Sequence, residues 1–417
     1  MKQHLRLAAL VAGAAIIAAA CTGGGATTAP STAPSVAPSD APTSAPSEAP
    51  SGLSGEITLW HSYSSGAGTE LDALNQVLDS VKAANPELVV NVLEVPFADL
   101  FNKYNADAAT GAGPDLFIAP NDSLGFQARE GVIADLDAAL AGKLEGISEV
   151  AINGSKVDGK LYMVPESLKA VAMFYDTATI ATPPATTDEL LQAAKDGTVK
   201  AGFLGGTNAY HNFGWWAAFG GKLMDDSGRC IADQGGVAES LAYLAELQAA
   251  GVKFYPNYDD MANAFKAGDI DLIVDGPWAT GGYKEAVPTL GVAPMPAGPA
   301  GPSQPLTGVD GWYINPSTAD LQLAVDFALA MTTVEAQQVF VDVAGHIPAN
   351  TSITITDPIT QGFADAVATG FPRPQVQQLD NFWGNFGNAL QLVLESGEDA
   401  TKAVADACAA MNEANGL

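Results

Sequence analysis

The chain reads as an α/β protein of two domains, carried behind an export signal and an extended tether. Three observations predict this. Strand-like and helix-like patterns alternate from residue 55 onwards. The ordered part, roughly 360 residues, exceeds what one hydrophobic core usually serves. The segment before it has a composition that cannot form a core.

Lys2 and Arg6 form a short basic region ahead of an apolar run from Leu7 to Ala20. At about 14 residues the run is shorter than the roughly 20 needed to span a bilayer. Residues 1–20 therefore read as a signal peptide. Ala18, Ala19 and Ala20 before Cys21 resemble a bacterial lipoprotein cleavage site, which implies diacylation of Cys21. Ala18 stands where such sites usually carry Leu, and ordinary secretory cleavage is the alternative. Residues 21–54 are nearly all Ala, Pro, Ser, Thr and Gly and lack apolar periodicity, so they form a disordered tether. Proline-rich chain extends by about 3.1 Å per residue, giving a reach on the order of 100 Å. The expected location is extracytoplasmic, on the outer face of the membrane and held there only through the anchor. No later stretch has the uninterrupted apolar length of a membrane span.

Acidic residues outnumber basic ones 47 to 18, for a formal net charge of −29. That field repels nucleic acid and anionic lipid surfaces, so neither is an expected partner. Besides Cys21 there are two cysteines, Cys230 and Cys408. In an oxidising compartment a disulfide between them is expected, two buried thiols being the alternative. No CxxC pair or His/Cys cluster suggests a metal, and no cofactor motif is present.

The elements follow in order. Glu56–Trp60 is a short apolar strand. Leu71, Leu74, Leu78 and Val81 predict a helix from Thr69, stopped by Asn85-Pro86. Leu88–Val95 is a strand, residues 97–111 a helix, and Asp115–Ala119 a buried strand. Strand–helix–strand order implies parallel pairing with helical crossovers. Val237–Gly251 is an amphipathic helix and Asp269–Gly276 a strand. "GVAPM" and "GWYIN" read as strands flanking the Pro/Gly-rich loop Pro296–Pro305. Beyond Asp320 helices are expected over Leu321–Met331, Val334–Ala344, Gln375–Glu395 and Asp399–Met411.

In open α/β sheets, ligands bind beyond the carboxyl ends of strands. "LWHSYSSGAGTEL" (Leu59–Leu71) is such a place: His61, Ser62, Tyr63, Ser64 and Ser65 line a strand-to-helix loop, and Gly66 and Gly68 permit close backbone approach. Asp122, after the third strand, is a ligand candidate or a helix N-cap. His61 and His211 have no partners at metal-ligand spacing; His61 is instead a candidate hydrogen-bond donor. Of the six tryptophans, Trp60 reads as core, at most one of Trp215 and Trp216 faces a cleft, and Trp312 stands open between core and site.

Five segments fall in the order of one family: "AATGAGPDLFIAP" (Ala108–Pro120), "GKLYMVP" (Gly159–Pro165), "FYD" (Phe174–Asp176), "DGPWA" (Asp275–Ala279) and "HIPAN" (His346–Asn350). From about residue 55 to the C-terminus the chain resembles bacterial extracellular solute-binding proteins of the maltose/maltodextrin type. The resemblance implies a two-lobed periplasmic-binding-protein fold, type II-like. Each lobe would be a mostly parallel sheet flanked by helices, joined by a multi-strand hinge. It implies an N-lobe of residues 55–167 plus 292–346 and a C-lobe of 168–291 plus 347–417, so that Cys230 and Cys408 share a lobe. It also implies a monomer that closes on an oligosaccharide and delivers it to an ABC transporter permease.

Residue by residue, Trp278 matches the family's sugar-stacking tryptophan, Trp383 a second one, Tyr210 an aromatic that closes on the ligand, and Asp122 an acid that bonds sugar hydroxyls. Ser62 to Ser65, with His61 and Tyr63, fall in the first ligand-contacting loop. Three positions depart from the maltose pattern: Lys169 replaces a glutamate, Gly387 an arginine, and Pro120 an aromatic.

Pyranose rings present apolar C–H faces and polar rims, so they suit flat aromatic platforms of about 150–250 Å² with neutral hydrogen-bonding groups beside them. The expected function is therefore a non-enzymatic oligosaccharide receptor, with maltodextrin-like glucans the best match. A membrane-anchored glycosidase would need two carboxylates about 5 Å or 6.5–9.5 Å apart across the bond, and no such pair flanks the aromatic motifs. A receptor for a non-sugar solute and a surface adhesion lipoprotein with no small ligand are the remaining functional classes that fit an anchored, exported chain.

Overall fold

Strand β1 (Gly55–His61) seeds the first sheet of the protein, described here from a computed structural model over residues 52–63 and 69–417. The signal peptide, Cys21 and nearly all of the tether lie outside the described residues, as do Ser64, Ser65, Gly66 and Gly68. β1 pairs in parallel with β2 (Leu88–Glu94), Gly55 opposite Leu88, and with β3 (Leu116–Pro120), Trp60 opposite Phe117. The crossover helix α1 (Glu70–Ala84) starts where Thr69 accepts from the Asp72 N–H, and it buries Leu74, Val77, Leu78 and Val81 at helical spacing. Helix α2 (Phe97–Ala108) buries Leu100 and Tyr104 against the opposite face of the sheet, with Trp60 and Phe117.

Besides a separate two-stranded hairpin, Lys156–Val157 with Lys160–Leu161, the strands that follow are β4 (Val164–Lys169), β5 (Ala172–Asp176), β6 (Ala201–Leu204), β7 (Lys253–Tyr255), β8 (Leu272–Asp275) and β9 (Leu290–Ala293). The last three are β10 (Leu306–Ile314), β11 (Ile347–Pro348) and β12 (Phe371–Pro372). Among the described residues the first sheet has the order β11-β4-β10-β3-β1-β2, with β12 beside β10, and the second β9-β5-β8-β6-β7. Only the buried pair Ala170 and Val171 separates β4 from β5, where the chain passes from one sheet to the other.

Both sheets are mixed rather than mostly parallel, which corrects the expectation. β10 runs antiparallel to β3 and β4, and β5 antiparallel to β8 and β9. A strand returning from the other sheet enters from the opposite end to one delivered by a local helical crossover. β4 lies in the first sheet along its full length to Lys169. Residues 297–304 still bond to the second-sheet side, Ala297 N–H to Ala185 O and Gln304 N–H to Gly214 O, and the chain reaches the first sheet only at β10.

One open reading is decided and two element bounds are corrected. Trp312 is core, not site: on β10 it faces Phe327, edge to face at 6.2 Å, and is wholly buried. "GVAPM" is strand only as far as Ala293, within β9. The helix expected over Gln375–Glu395 begins at Phe382 and runs to Ser396, after a 3₁₀ turn at Gln377–Asn381. Gln375 is drawn out of helical geometry because its side-chain oxygen accepts from the Gly125 N–H and its carbonyl from Arg129. Trp60, Trp215 and Trp216 are all buried.

Cys230 and Cys408 form a disulfide, with Cα atoms 5.5 Å apart, inside the apolar cluster that holds Trp215, Trp216, Phe382 and Phe386. It ties the helix Ala400–Ala414 to the segment after Met224. Replacing both cysteines by serine should lower unfolding free energy by about 2–5 kcal/mol, since the bond closes a long loop of the unfolded chain. Denaturant titration of the variant against the parent chain measures this.

Candidate functional site

The carboxyl edge of the first sheet brings together the ends of β1 and β3 and the middle of the antiparallel β10 at Asp310. Just beyond β1, Tyr63 and His61 are buried and Ser62 half-buried. His61 Nδ1 accepts from the Tyr63 N–H at 3.1 Å. Burial lowers the His61 pKa, opposed by the nearby charge of Glu94 and by the Tyr63 backbone hydrogen bond. Tyr63 Oη is buried without a partner, and burial, then Glu70, Glu166 and Asp310, raise its pKa well above the ordinary phenol value.

Beneath this loop lies an ionic cluster. The pairing of β4 with β10 skips Glu166, with Ser167 opposite Asp310 and Pro165 opposite Gly311, so Glu166 occupies a bulge. Bulges re-aim side chains. The Glu166 carboxylate meets His346 Nδ1 at 3.0 Å, while Glu70, in the first turn of α1, meets His346 Nε2 at 3.0 Å. Burial works to lower the pKa of His346, but the two carboxylates win and hold it well above the ordinary histidine value. The imidazolium is further packed by Phe340, stacked at 5.1 Å.

The facing wall is aromatic. Trp278 follows β8 and stands over Gly276: a Cβ on Gly276 would lie 2.0 Å from the indole, so only glycine fits. Indole Nε1 donates to Tyr258 Oη at 3.0 Å, and Tyr258 donates to the buried Asp275 carboxylate at 3.0 Å. Tyr283 donates to the same carboxylate oxygen at 2.6 Å, which fixes the ring's orientation. Tyr210 lies 6.2 Å from Trp278 between ring centroids, and its hydroxyl is buried without a partner. Trp278, Tyr210 and Trp383 are each half-buried at the rim of an apolar cluster. Lys169 Nζ sits 5.6 Å from the Trp278 ring and pairs with Asp310 at 2.9 Å.

Arg373 completes the wall, and the sequence reading missed it. Its Cζ lies 5.3 Å from the Tyr210 ring and 5.4 Å from that of Trp383, and it pairs with Asp122. Burial pulls its pKa down to about 9, which still leaves it charged at neutral pH. Asp122 thus serves neither as an N-cap, since Ser123 occupies that position of the next helix, nor as an isolated acid. Glu166, Asp310 and His346 were also unread as site neighbours. "HIPAN" and the acid two residues before Trp312 marked their places, but no spacing rule brings residues 166, 310 and 346 together.

The structure therefore links Asp122, Lys169, Tyr210, Trp278 and Trp383 through Arg373 and neighbouring rings, places Tyr63 apart from them against His61, Phe340 and His346, and excludes Trp312. Among the described residues no group of three or more His, Cys, Asp or Glu side chains could hold a metal ion. Buried polar atoms without partners concentrate here: Tyr63 Oη, Glu166 Oε1, Tyr210 Oη and Arg373 Nε. Such atoms are costly unless a ligand meets them.

The Gly387 departure has a steric cause. A Cβ there would stand 2.3 Å from the Thr207 carbonyl oxygen, so the helix Phe382–Ser396 packs backbone against backbone. Gly387→Ala should cost about 1–3 kcal/mol of stability, read from the denaturant midpoint, and Gly387→Arg more. For His346 the folded pKa is raised, so its contribution is complete below the free value of about 6.5 and fades as pH rises through the folded value. His346→Gln should cost about 3–5 kcal/mol at pH 6, because it strips the buried Glu166 of its partner. The deficit should shrink at alkaline pH, and histidine NMR should place the His346 midpoint above 6.5.

The sequence model of the bacterial extracellular solute-binding protein family matches residues 76–367. Over 364 residues the chain is 26% identical to the maltotriose-binding protein of Pyrococcus abyssi, spanning 83% of this chain and 79% of that one. Over 335 residues it is 24% identical to a maltooligosaccharide ABC transporter solute-binding lipoprotein of Streptococcus pneumoniae, spanning 75% and 79%. Among solved structures, the Thermus thermophilus maltotriose-binding protein bound with maltotriose aligns with a TM-score of 0.77 at 28% identity, over 86% of this chain and 100% of that one. The fold is accordingly the two-lobed periplasmic-binding-protein fold. The match of the family model over most of the folded part establishes that this chain belongs to the bacterial extracellular solute-binding proteins.

Proposed function

We propose that this chain is the extracytoplasmic binding component of an ABC importer for an oligosaccharide, with a maltodextrin-like glucan the best match. The lobes are built on the two sheets, with β4 and β10 among the strands of the hinge. The resting form is open, and a ligand held by one lobe favours closure by touching the other. Cys21 carries the lipid anchor, the tether gives the lobes reach, and the permease reads the closed form.

One observation carries the sugar reading: three half-buried aromatic rings share a wall with charged groups whose charges are already paired. Rings offer stacking area to pyranose C–H faces, while paired charges offer hydrogen bonds without demanding a charged ligand. The names of the relatives, which bind maltotriose and maltooligosaccharides, support the glucan class. The acids of the wall are each committed to a cation, Asp122 to Arg373 and Asp310 to Lys169. That suits recognition better than the proton donation that glycoside hydrolysis requires.

Isothermal calorimetry of the mature chain against maltose to maltoheptaose tests the reading. Trp278→Ala and Trp383→Ala should each weaken binding about 10- to 100-fold, the loss expected when roughly 1.5–3 kcal/mol of aromatic contact is removed. Release of shorter sugars during the titration would sink the receptor reading. Binding of none of the series, with heat from another solute class, would keep the fold and overturn the ligand.

A further inference from the structure

Arg373 has a role that neither stacking nor charge balance explains. It follows β12 directly, and its side chain is 1% exposed, so it is built into the wall rather than laid upon it. Nη1 donates to Asp122 Oδ1 and, at 3.4 Å, to Asn121 Oδ1. Nε is buried and has no partner, and no hydrogen bond of Nη2 is found among the described residues. A guanidinium presents its N–H groups as a rigid fork, with Nε and one terminal nitrogen along a shared edge. With Nη1 turned to the Asn121–Asp122 corner, the Nε–Nη2 edge is left over, beside the rings of Tyr210 and Trp383.

Such an edge fits two oxygens held side by side, either a carboxylate or the two hydroxyls of a vicinal diol. Charge decides between them. Arg373 is already balanced by Asp122 and Lys169 by Asp310, so a ligand carboxylate would find no unmatched cation on the wall. The surrounding chain, at −29, repels it as well. A neutral diol accepts the same two hydrogen bonds without disturbing either pair.

We propose that Arg373 is a specificity-determining residue of this site, donating from its free edge to a vicinal diol of a neutral sugar ring stacked beside Tyr210 and Trp383. The assignment rests on the oligosaccharide reading and adds to it the feature of the sugar that is read. A lysine keeps the charge toward Asp122 but has no fork, so Arg373→Lys separates the two roles.

The test is calorimetry of the mature wild-type chain and of Arg373→Lys with maltotriose, with its 2-deoxy and 3-deoxy analogues, and with an oligosaccharide carrying a uronic acid. Arg373→Lys should bind maltotriose about 10- to 100-fold more weakly. The deoxy analogues should lose affinity for the wild type and lose little more for Arg373→Lys, the non-additivity of a direct contact. A merely structural role would leave the two losses additive. Unchanged maltotriose binding by Arg373→Lys, additive losses, or wild-type deoxy analogues as tight as maltotriose would each overturn the assignment, and the last comparison needs no variant. Tighter wild-type binding of the uronic-acid sugar would overturn the diol in favour of a carboxylate. If the wild type binds no neutral sugar, the oligosaccharide reading fails and the diol with it; intact wild-type binding with an unaltered variant removes the diol alone.

Discussion

The strand β10, buried at all nine of its residues, is the constraint around which the molecule is organised. It pairs with β3 and β4 and, at its start, with β12, so segments distant in sequence are held in one register. One of its faces sends Trp312 into the core against Phe327. At its middle, Asp310 lies opposite Pro120 and Ser167, at the carboxyl edge where β1 and β3 end. A carboxylate inside a strand of this kind is tolerable only if a cation meets it, and Lys169 of the neighbouring strand does so at 2.9 Å. Register on β10 therefore sets both the core and the polar floor of the site.

The same logic organises the rest of the polar interior. Asp275 is fully buried and takes hydrogen bonds from Tyr258, Tyr283 and the Gly276 N–H, and Tyr258 in turn accepts from Trp278. Satisfying one buried carboxylate thus orients the Trp278 ring. One Glu166 oxygen meets His346, and the bulge at Glu166 makes that reach possible. Site and scaffold are not separable here: the groups that stop buried charges from destabilising the fold also hold the recognition surface still.

Sequence periodicity placed the helices well where apolar spacing was regular, as in α1. It also placed the loop after β1, because apolar strand, polar turn and helical pattern follow each other locally. The family motifs singled out Trp278, Trp383, Tyr210 and Asp122 as candidates, and the structure shows them linked through Arg373 and neighbouring rings. What stayed hidden was non-local. Strand direction in the two sheets depends on where the chain returns from, which periodicity does not encode. Trp312 and Trp278 have similar Gly-rich flanks, yet one is buried against Phe327 and the other stays half-buried beside Tyr210, and only strand register tells them apart. Arg373 sits in "FPRPQ", a stretch that reads as a loop. Its importance comes from meeting Asp122, 251 residues earlier in the chain.

Two of the departures from the maltose pattern, at Lys169 and Gly387, form one arrangement with Arg373 rather than independent losses. Lys169 places a cation where an acid would bond sugar hydroxyls, and Gly387 removes a cation because the Thr207 backbone occupies its space. Arg373 supplies a cation from a different segment, and Asp122 and Asp310 balance the two that result. The wall thus keeps charged hydrogen-bonding groups beside aromatic rings while its formal charge stays near balance, within a chain that is acidic overall. A neutral polyol gains directed hydrogen bonds from such a wall without facing the electrostatic penalty that the surrounding acidic surface imposes on an anion.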